Sequence, residues 1–256
     1  MAHVTPGSST VRAFTAPSGT DDLSSHAHRM LIGALGLALS PVIWVVNVVR
    51  PTAALQRPET SIWWPLNSVS AYYYSGAVAV FVGVLVTLAM FLFTYQGYDN
   101  LYRARDRGAA MVAGLAALGV AGFPTTPPAV SLRPSWWVDA DKWIHYGSAF
   151  TLFAALIFFS LFLFPQSRPN DTRTVDKRNR NFLYRACGVV MVLSMVWAVW
   201  AIATGGHIFA AETTALWAFA FSWLVKGHAD WTAVHVGKRV TDYGVQLVRS
   251  LKGLGK

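Results

Sequence analysis

Six long apolar runs, separated by polar or charged segments, dominate the pattern of this chain. They cover residues 30–49, 76–97, 109–123, 143–164, 186–204 and 208–225. All but the third come close to the roughly 20 residues that a helix needs to cross the hydrocarbon core of a bilayer. None alternates apolar and polar residues with a period of two, which is the pattern of barrel strands. The sequence therefore predicts an all-α polytopic membrane protein, a bundle of six transmembrane helices.

The third run carries a regular pattern of small residues. Ala109, Ala113, Ala117 and Ala121 recur every four residues, and such a stripe lets helix backbones approach closely where lipid is as apolar as leucine. The third helix is therefore expected to lie centrally in the bundle. Pro41 is expected to kink the first helix, because proline has no N–H to continue the hydrogen-bond ladder.

Composition agrees with a membrane protein and excludes a disulfide scaffold. Hydrophobic residues make up 54% of the 256 residues, charged residues 13%, and the mean hydropathy is +0.39, whereas a soluble domain carries roughly 25% charged residues. Cys187 is the only cysteine, so neither an intrachain disulfide nor a cysteine-based metal cluster can form.

Basic residues predict the orientation, because short cytoplasmic loops retain lysine and arginine. With both termini inside, only Arg50, Arg57, Arg133 and Lys142 of the 21 lysines and arginines face outward. This favours an N-in, C-in topology in the inner (cytoplasmic) membrane. The net charge of +9 follows from orientation and anionic lipid contact, and no nucleic-acid-binding motif accompanies it. We therefore expect no nucleic-acid partner.

Two terminal regions flank the predicted transmembrane domain, residues 29–228. Residues 1–28 have too little apolar content to fold alone and are expected to form a disordered cytoplasmic arm. Residues 229–256 are predicted to form a basic tail with an amphipathic helix on the cytoplasmic leaflet, in contact with anionic lipid headgroups. Docking of that helix on the protein's own loops is the alternative.

Polar side chains gather at the predicted outer ends of the second, fourth and sixth helices. Polar groups within a membrane are costly, so their positions point to function. If these helix ends adjoin, they form an outward-facing polar pocket that can bind a ligand. Its candidate residues are Asn67, Ser70, Tyr74, Asp141, His145, His207 and Glu212.

Individual members of this set admit other roles. Glu212 is the only acid within an apolar run, and it either serves function or stabilises the N-terminus of its helix. Asp141 is interpreted as a helix cap. A zinc site of Asp141, His145, His207 and Glu212 is an alternative, although no metal or other cofactor is expected. A hydrolytic triad of Ser70, His145 and an acid is conceivable without a nucleophile-elbow motif.

Four segments carry a family resemblance, namely residues 68–74, 91–99, 119–125 and 221–227. Together they resemble uncharacterised bacterial multi-pass membrane proteins over residues 30–228. The resemblance implies six spans but no particular activity. A remote similarity leads to the alkaline ceramidase and adiponectin-receptor superfamily, whose members are zinc hydrolases. The chain departs from that pattern, since it has six predicted spans instead of seven and no HxxxH pair.

Three functions are compatible with these observations. The first is binding of a lipid or another amphiphile in the outward-facing pocket. The second is a membrane-embedded lipid hydrolase, which requires a bound metal or a reactive serine. The third is a structural or assembly subunit that packs against a protein partner or a second copy of the chain.

Overall fold

The structure, a computed structural model, describes residues 19–52, 55, 63–95, 103–166 and 175–228. Six α-helices occur in these ranges: α1 (Gly19–Val49), α2 (Val78–Thr94), α3 (Arg103–Gly122), α4 (Asp139–Phe158), α5 (Val175–Ala203) and α6 (209–228). Short 3-10 helices cover Ser70–Tyr74 and Val130–Leu132, and a π-helical turn, Phe159–Leu163, continues α4. The described residues contain no strand, so the predicted all-α class is confirmed.

Each of the six apolar runs contributes to one helix. Three segments are long and apolar enough to cross a membrane: Ala27–Val49, Asp139–Leu163 and Lys177–Ala203. The helix Val78–Thr94 is apolar but shorter. Helix α1 begins at Gly19, inside the region predicted as a terminal arm. The predicted amphipathic helix of the tail, residues 229–256, lies outside the described residues.

The helices pack in chain order. Helix α2 contacts α1 and α3, α3 contacts α4, and α4 with its π-helical turn contacts α5. Helix α6 runs antiparallel to α1: Gly33 faces Leu224 near one end of the contact, and Trp217 reaches Leu37 farther along. A methyl group on Gly33 would lie only 2.7 Å from Leu224 Cγ, so the glycine allows this close approach.

Helix α3 is packed as its alanine pattern predicts. Of the four alanines in the stripe, Ala113, Ala117 and Ala121 are buried and Ala109 is half-buried. The neighbouring Gly114 packs against the ring of Phe93 on α2. On the other side, a methyl group on Gly119 would lie 2.8 Å from Ser148 Cβ of α4. Small side chains thus bring α2 and α4 against opposite sides of α3.

Pro41 lies within a helix that continues through it to Val49. Proline has no N–H for the carbonyl of Leu37, four residues earlier. The indole Nε1 of Trp217 on α6 donates to that carbonyl at 3.2 Å. The side chain of a neighbouring helix therefore fills the gap in the backbone ladder of α1.

An aromatic cluster fills the interior toward the end of the bundle where α2 finishes. The side chain of Trp223 is fully buried and packs against four rings at centroid distances of 5.2–5.8 Å: those of Tyr95, Phe159, Phe164 and Phe219. Lys226 Nζ donates to the carbonyl of Phe164 at 3.2 Å. Beside this cluster, the hydroxyls of Ser160 and Ser222 are 3.0 Å apart.

Candidate functional site

The candidate site lies at the end of the bundle where α2, α4 and α6 begin, hereafter the polar end. Its centre is the segment 67–75, which precedes α2. Within it, the hydroxyl of Ser68 accepts from the N–H of Ala71 at 3.0 Å, and the hydroxyl of Ser75 donates to the carbonyl of Tyr72 at 2.8 Å. Serine hydroxyls compete well for nearby backbone groups, so this sequence folds into a compact 3-10 turn.

The segment 67–75 also binds the start of α6. The carbonyl of Asn67 accepts from the N–H groups of Ile208 and Phe209 at 2.8 and 2.9 Å. A helix N-terminus leaves such N–H groups without partners of its own. Glu212 Oε2 accepts from the N–H of Val69 at 2.7 Å. The side chain of Glu212 thus fixes a neighbouring segment of the chain by this hydrogen bond.

Ser70 connects the same segment to α4. Its Oγ lies 2.9 Å from Nε2 of His145, and Nδ1 of His145 lies 2.7 Å from the carbonyl oxygen of Phe123. A carbonyl can only accept, so Nδ1 carries the proton. In neutral His145, Nε2 then accepts from the Ser70 hydroxyl. His145 is 1% exposed, whereas Ser70 is partly exposed.

Tyrosine hydroxyls attach the loop after α3 to this assembly. The hydroxyl of Tyr74 donates to the carbonyl of Thr125 at 2.6 Å, and the hydroxyl of Tyr146 lies 3.0 Å from that of Thr126. Burial raises the pKa of Tyr74 above its ordinary value, with smaller contributions from neighbouring tyrosines and Asp141. The phenol therefore keeps its donor proton at neutral pH.

Tyr72 is the second buried phenol of the segment. Its hydroxyl accepts from the N–H of Leu66 at 3.2 Å. Burial raises the pKa of Tyr72 to about 12, although the hydrogen bond from Leu66 acts in the opposite direction. This ring anchors the segment in the interior, since it is fully buried.

Asp141 forms hydrogen bonds at the start of its own helix, and His207 lies in the turn before α6. Asp141 Oδ2 accepts from the N–H of Val138 at 2.9 Å, while its own N–H donates to the Val138 carbonyl at 3.0 Å. This reciprocal pattern caps α4, as the sequence interpretation of Asp141 expects. His207 is exposed in the turn before α6.

The alternative zinc site places Asp141, His145, His207 and Glu212 in one ligand set. The described part of the chain holds no group of three or more histidine, cysteine, aspartate or glutamate side chains arranged for a metal ion. Both ring nitrogens of His145 are already hydrogen-bonded. His145 would have to give up one of these bonds to coordinate zinc.

Exposed aromatic side chains surround the polar end. Trp63, Trp64 and Trp143 are each more than 60% exposed. The ring of Trp143 contacts that of Tyr146 at 6.1 Å, and Tyr146 contacts His145 at 6.0 Å. Aromatic rings therefore lead from the protein surface to the buried histidine.

Sequence reasoning missed the backbone partners of the site. The carbonyls of Phe123 and Thr125 hold His145 and Tyr74, and neither was a candidate. Pro124 was the feature of the sequence that could have indicated these backbone acceptors. Proline prevents α3 from continuing beyond Gly122, so the carbonyls of Phe123 and Thr125 lie past the helix and have no helical N–H as a partner. These carbonyls are therefore free to accept from side chains.

No family model, curated protein or solved structure matches this chain. The function proposed below therefore depends on the geometry of the polar end and on the sequence.

Proposed function

We propose that this chain is a six-span protein of a bacterial inner membrane, with both termini in the cytoplasm, that binds a lipid or another amphiphile at its polar end. The apolar surface of α5 supports membrane insertion. Phe182, Val199 and Trp200 on that helix are 75%, 67% and 63% exposed. Such side chains are stable in contact with lipid tails and costly in contact with water. The polar end then faces outward, as the distribution of basic residues favours.

The observation that carries the binding proposal is the combination of polar and aromatic groups around Ser70. The partly exposed Ser70 hydrogen-bonds to the buried His145, and the exposed ring of Tyr146 contacts both the histidine and the exposed ring of Trp143. An amphiphile needs hydrogen-bonding groups for its polar part and apolar surface for its tail. Indole and phenol rings provide both at the level of lipid headgroups.

The test is native mass spectrometry, with elemental analysis, of the full chain purified in mild detergent. A stoichiometric lipid without metal is the expected result, and its mass identifies the class of ligand. A stoichiometric zinc would favour a metal-dependent hydrolase instead. A protein free of both, or one purified with a fixed partner, would favour a structural role.

Two variants make this test specific to the polar end. Glu212→Gln keeps an acceptor for the N–H of Val69 but replaces the ionisable carboxyl group by a neutral amide, and it is expected to fold while losing the bound lipid. Unchanged lipid binding would remove Glu212 from the site. Phe182→Ala, which truncates an exposed ring on α5, is the control for a general effect of substitution and is expected to keep the lipid.

A further inference from the structure

We infer that Ser70 and His145 form a nucleophile–base pair that cleaves an acyl ester of the amphiphile bound at the polar end. The inference rests on the proposed function and adds a reaction to it. The 2.9 Å separation of Ser70 Oγ and His145 Nε2 is within the range in which a histidine can take a proton from a nucleophilic hydroxyl.

The orientation of the histidine supports this role. The bond from Nδ1 to the Phe123 carbonyl, 2.7 Å long, directs the lone pair of Nε2 at Ser70. In serine hydrolases a third group fixes the tautomer and the ring position of the base. A backbone carbonyl performs both tasks here. It stabilises the positive imidazolium less than a carboxylate does, so slow turnover is expected.

Ser70 is more exposed than His145, as such a reaction requires. Ser70 is partly exposed, while the residues on either side of it, Val69 and Ala71, are buried. His145 lies behind Ser70 and is 1% exposed. A bound ester can therefore reach the hydroxyl from outside, and the base remains shielded from bulk water.

The position of Ser70 is fixed from both sides along the chain. The N–H of Val69 is bound by Glu212, and the N–H of Ala71 is bound by the Ser68 hydroxyl. Holding a nucleophile in one geometry lowers the entropic cost of attack. Ser68 and Glu212 thus act as positioning residues for Ser70.

The reaction balances with water as the only co-reactant. Ser70 Oγ forms a bond to the acyl carbon of the ester, and its proton passes to His145 Nε2. The bond from that carbon to the alcohol oxygen breaks, and the alcohol takes the proton from Nε2. Water then attacks the acyl-serine with Nε2 as base, which releases the carboxylic acid and restores the Ser70 hydroxyl.

The location of the pair indicates the class of substrate. Ser70 precedes α2, which begins at Val78, and exposed indoles of the same end belong at the level of lipid headgroups. The ester linkages of an acyl lipid lie just below that level. An acyl ester of a membrane lipid is therefore the substrate that matches the depth of the site.

The experiment treats the full chain, purified in mild detergent, with a fluorophosphonate probe and maps the adduct by peptide mass spectrometry. Release of fatty acid from phosphatidylglycerol vesicles is measured in parallel. An adduct on Ser70 and slow acid release are expected. Ser70→Ala should abolish both, and His145→Gln should slow labelling by about 100-fold or more. The exposed Ser131 provides a matched control, because Ser131→Ala should change neither.

The mapping in the unaltered protein needs no variant, so a failure of His145→Gln to fold does not weaken it. Absence of an adduct on Ser70, or acid release that survives Ser70→Ala, overturns the inference. If lipid still copurifies in that case, the binding proposal stands alone. If neither lipid nor adduct is found, both proposals fail.

Discussion

The indole Nε1 of Trp217 donates a 3.2 Å hydrogen bond to the backbone carbonyl of Leu37. In an α-helix that carbonyl would accept from the N–H of residue 41, which Pro41 lacks. We therefore expect Trp217→Phe to lower the free energy of unfolding by about 0.5–1.5 kcal/mol. Reversible unfolding in mixed detergent micelles measures this change.

The control for this prediction is a double-mutant cycle with Pro41→Ala. Alanine restores an N–H at position 41, which can bond to the Leu37 carbonyl within α1. Trp217→Phe should then cost less than it does in the presence of Pro41. Equal costs in the two backgrounds would mean that the hydrogen bond does not compensate for the proline.

Gly119 is expected to be intolerant of even one methyl group. A Cβ at this position would lie 2.8 Å from the Cβ of Ser148, which cannot move without a shift of the α4 backbone. Gly119→Ala should therefore destabilise the protein by about 1–3 kcal/mol. Gly122, on the same helix, has open space around its ideal Cβ. Thermal unfolding of Gly122→Ala should match or exceed the original, and equal losses for both variants would contradict the packing argument.

Two substitutions of Glu212 measure how much its hydrogen bond to Val69 contributes to stability. Val69 is buried, with 5% of the residue exposed. Glu212→Leu leaves its N–H without an acceptor. A loss of about 1–3 kcal/mol in unfolding free energy is expected. Glu212→Gln retains an acceptor and should lose clearly less. Similar stabilities for the leucine variant and the unaltered protein would show that the 2.7 Å contact is unimportant for the fold.

The buried phenol of Tyr72 is expected to make the folded protein less stable at high pH. Burial raises its pKa to about 12, above the ordinary value of about 10, so the folded state holds the phenolic proton more tightly. The stability that the protonated phenol of Tyr72 contributes is complete below about pH 10 and is lost as the pH rises through about 12. Unfolding temperatures of Tyr72→Phe and the unaltered protein should therefore diverge above pH 10, in favour of phenylalanine. Parallel curves over this range would contradict the assignment.

The helices and the close packing of α3 could be predicted because both depend on local periodicity. Runs of apolar residues predict helices directly, and the spacing of Ala113, Ala117 and Ala121 places them on one face. The cap formed by Asp141 was predictable for the same reason, since it lies three residues after its partner Val138.

The contacts of the candidate site could not be predicted, because they join residues far apart in sequence. Ser70 and His145 are 75 residues apart, and Val69 and Glu212 are 143 apart. Polar spacing suggested which side chains matter, but not which helices adjoin. It also favoured the side chain of Asn67, whereas the backbone carbonyl of Asn67 makes the recorded contacts with α6.

The segment that begins at Asn67 has a consequence for local opening of the protein. It accepts from Ile208 and Phe209, donates through Val69 to Glu212, and holds His145 through Ser70. Lifting it would break contacts with α4 and α6 together, so these contacts form one cooperative unit. The amide protons of Val69, Ile208 and Phe209 should accordingly exchange with deuterated solvent at a common rate. Detachment of the segment 67–75 would therefore release the starts of α4 and α6 at the same time.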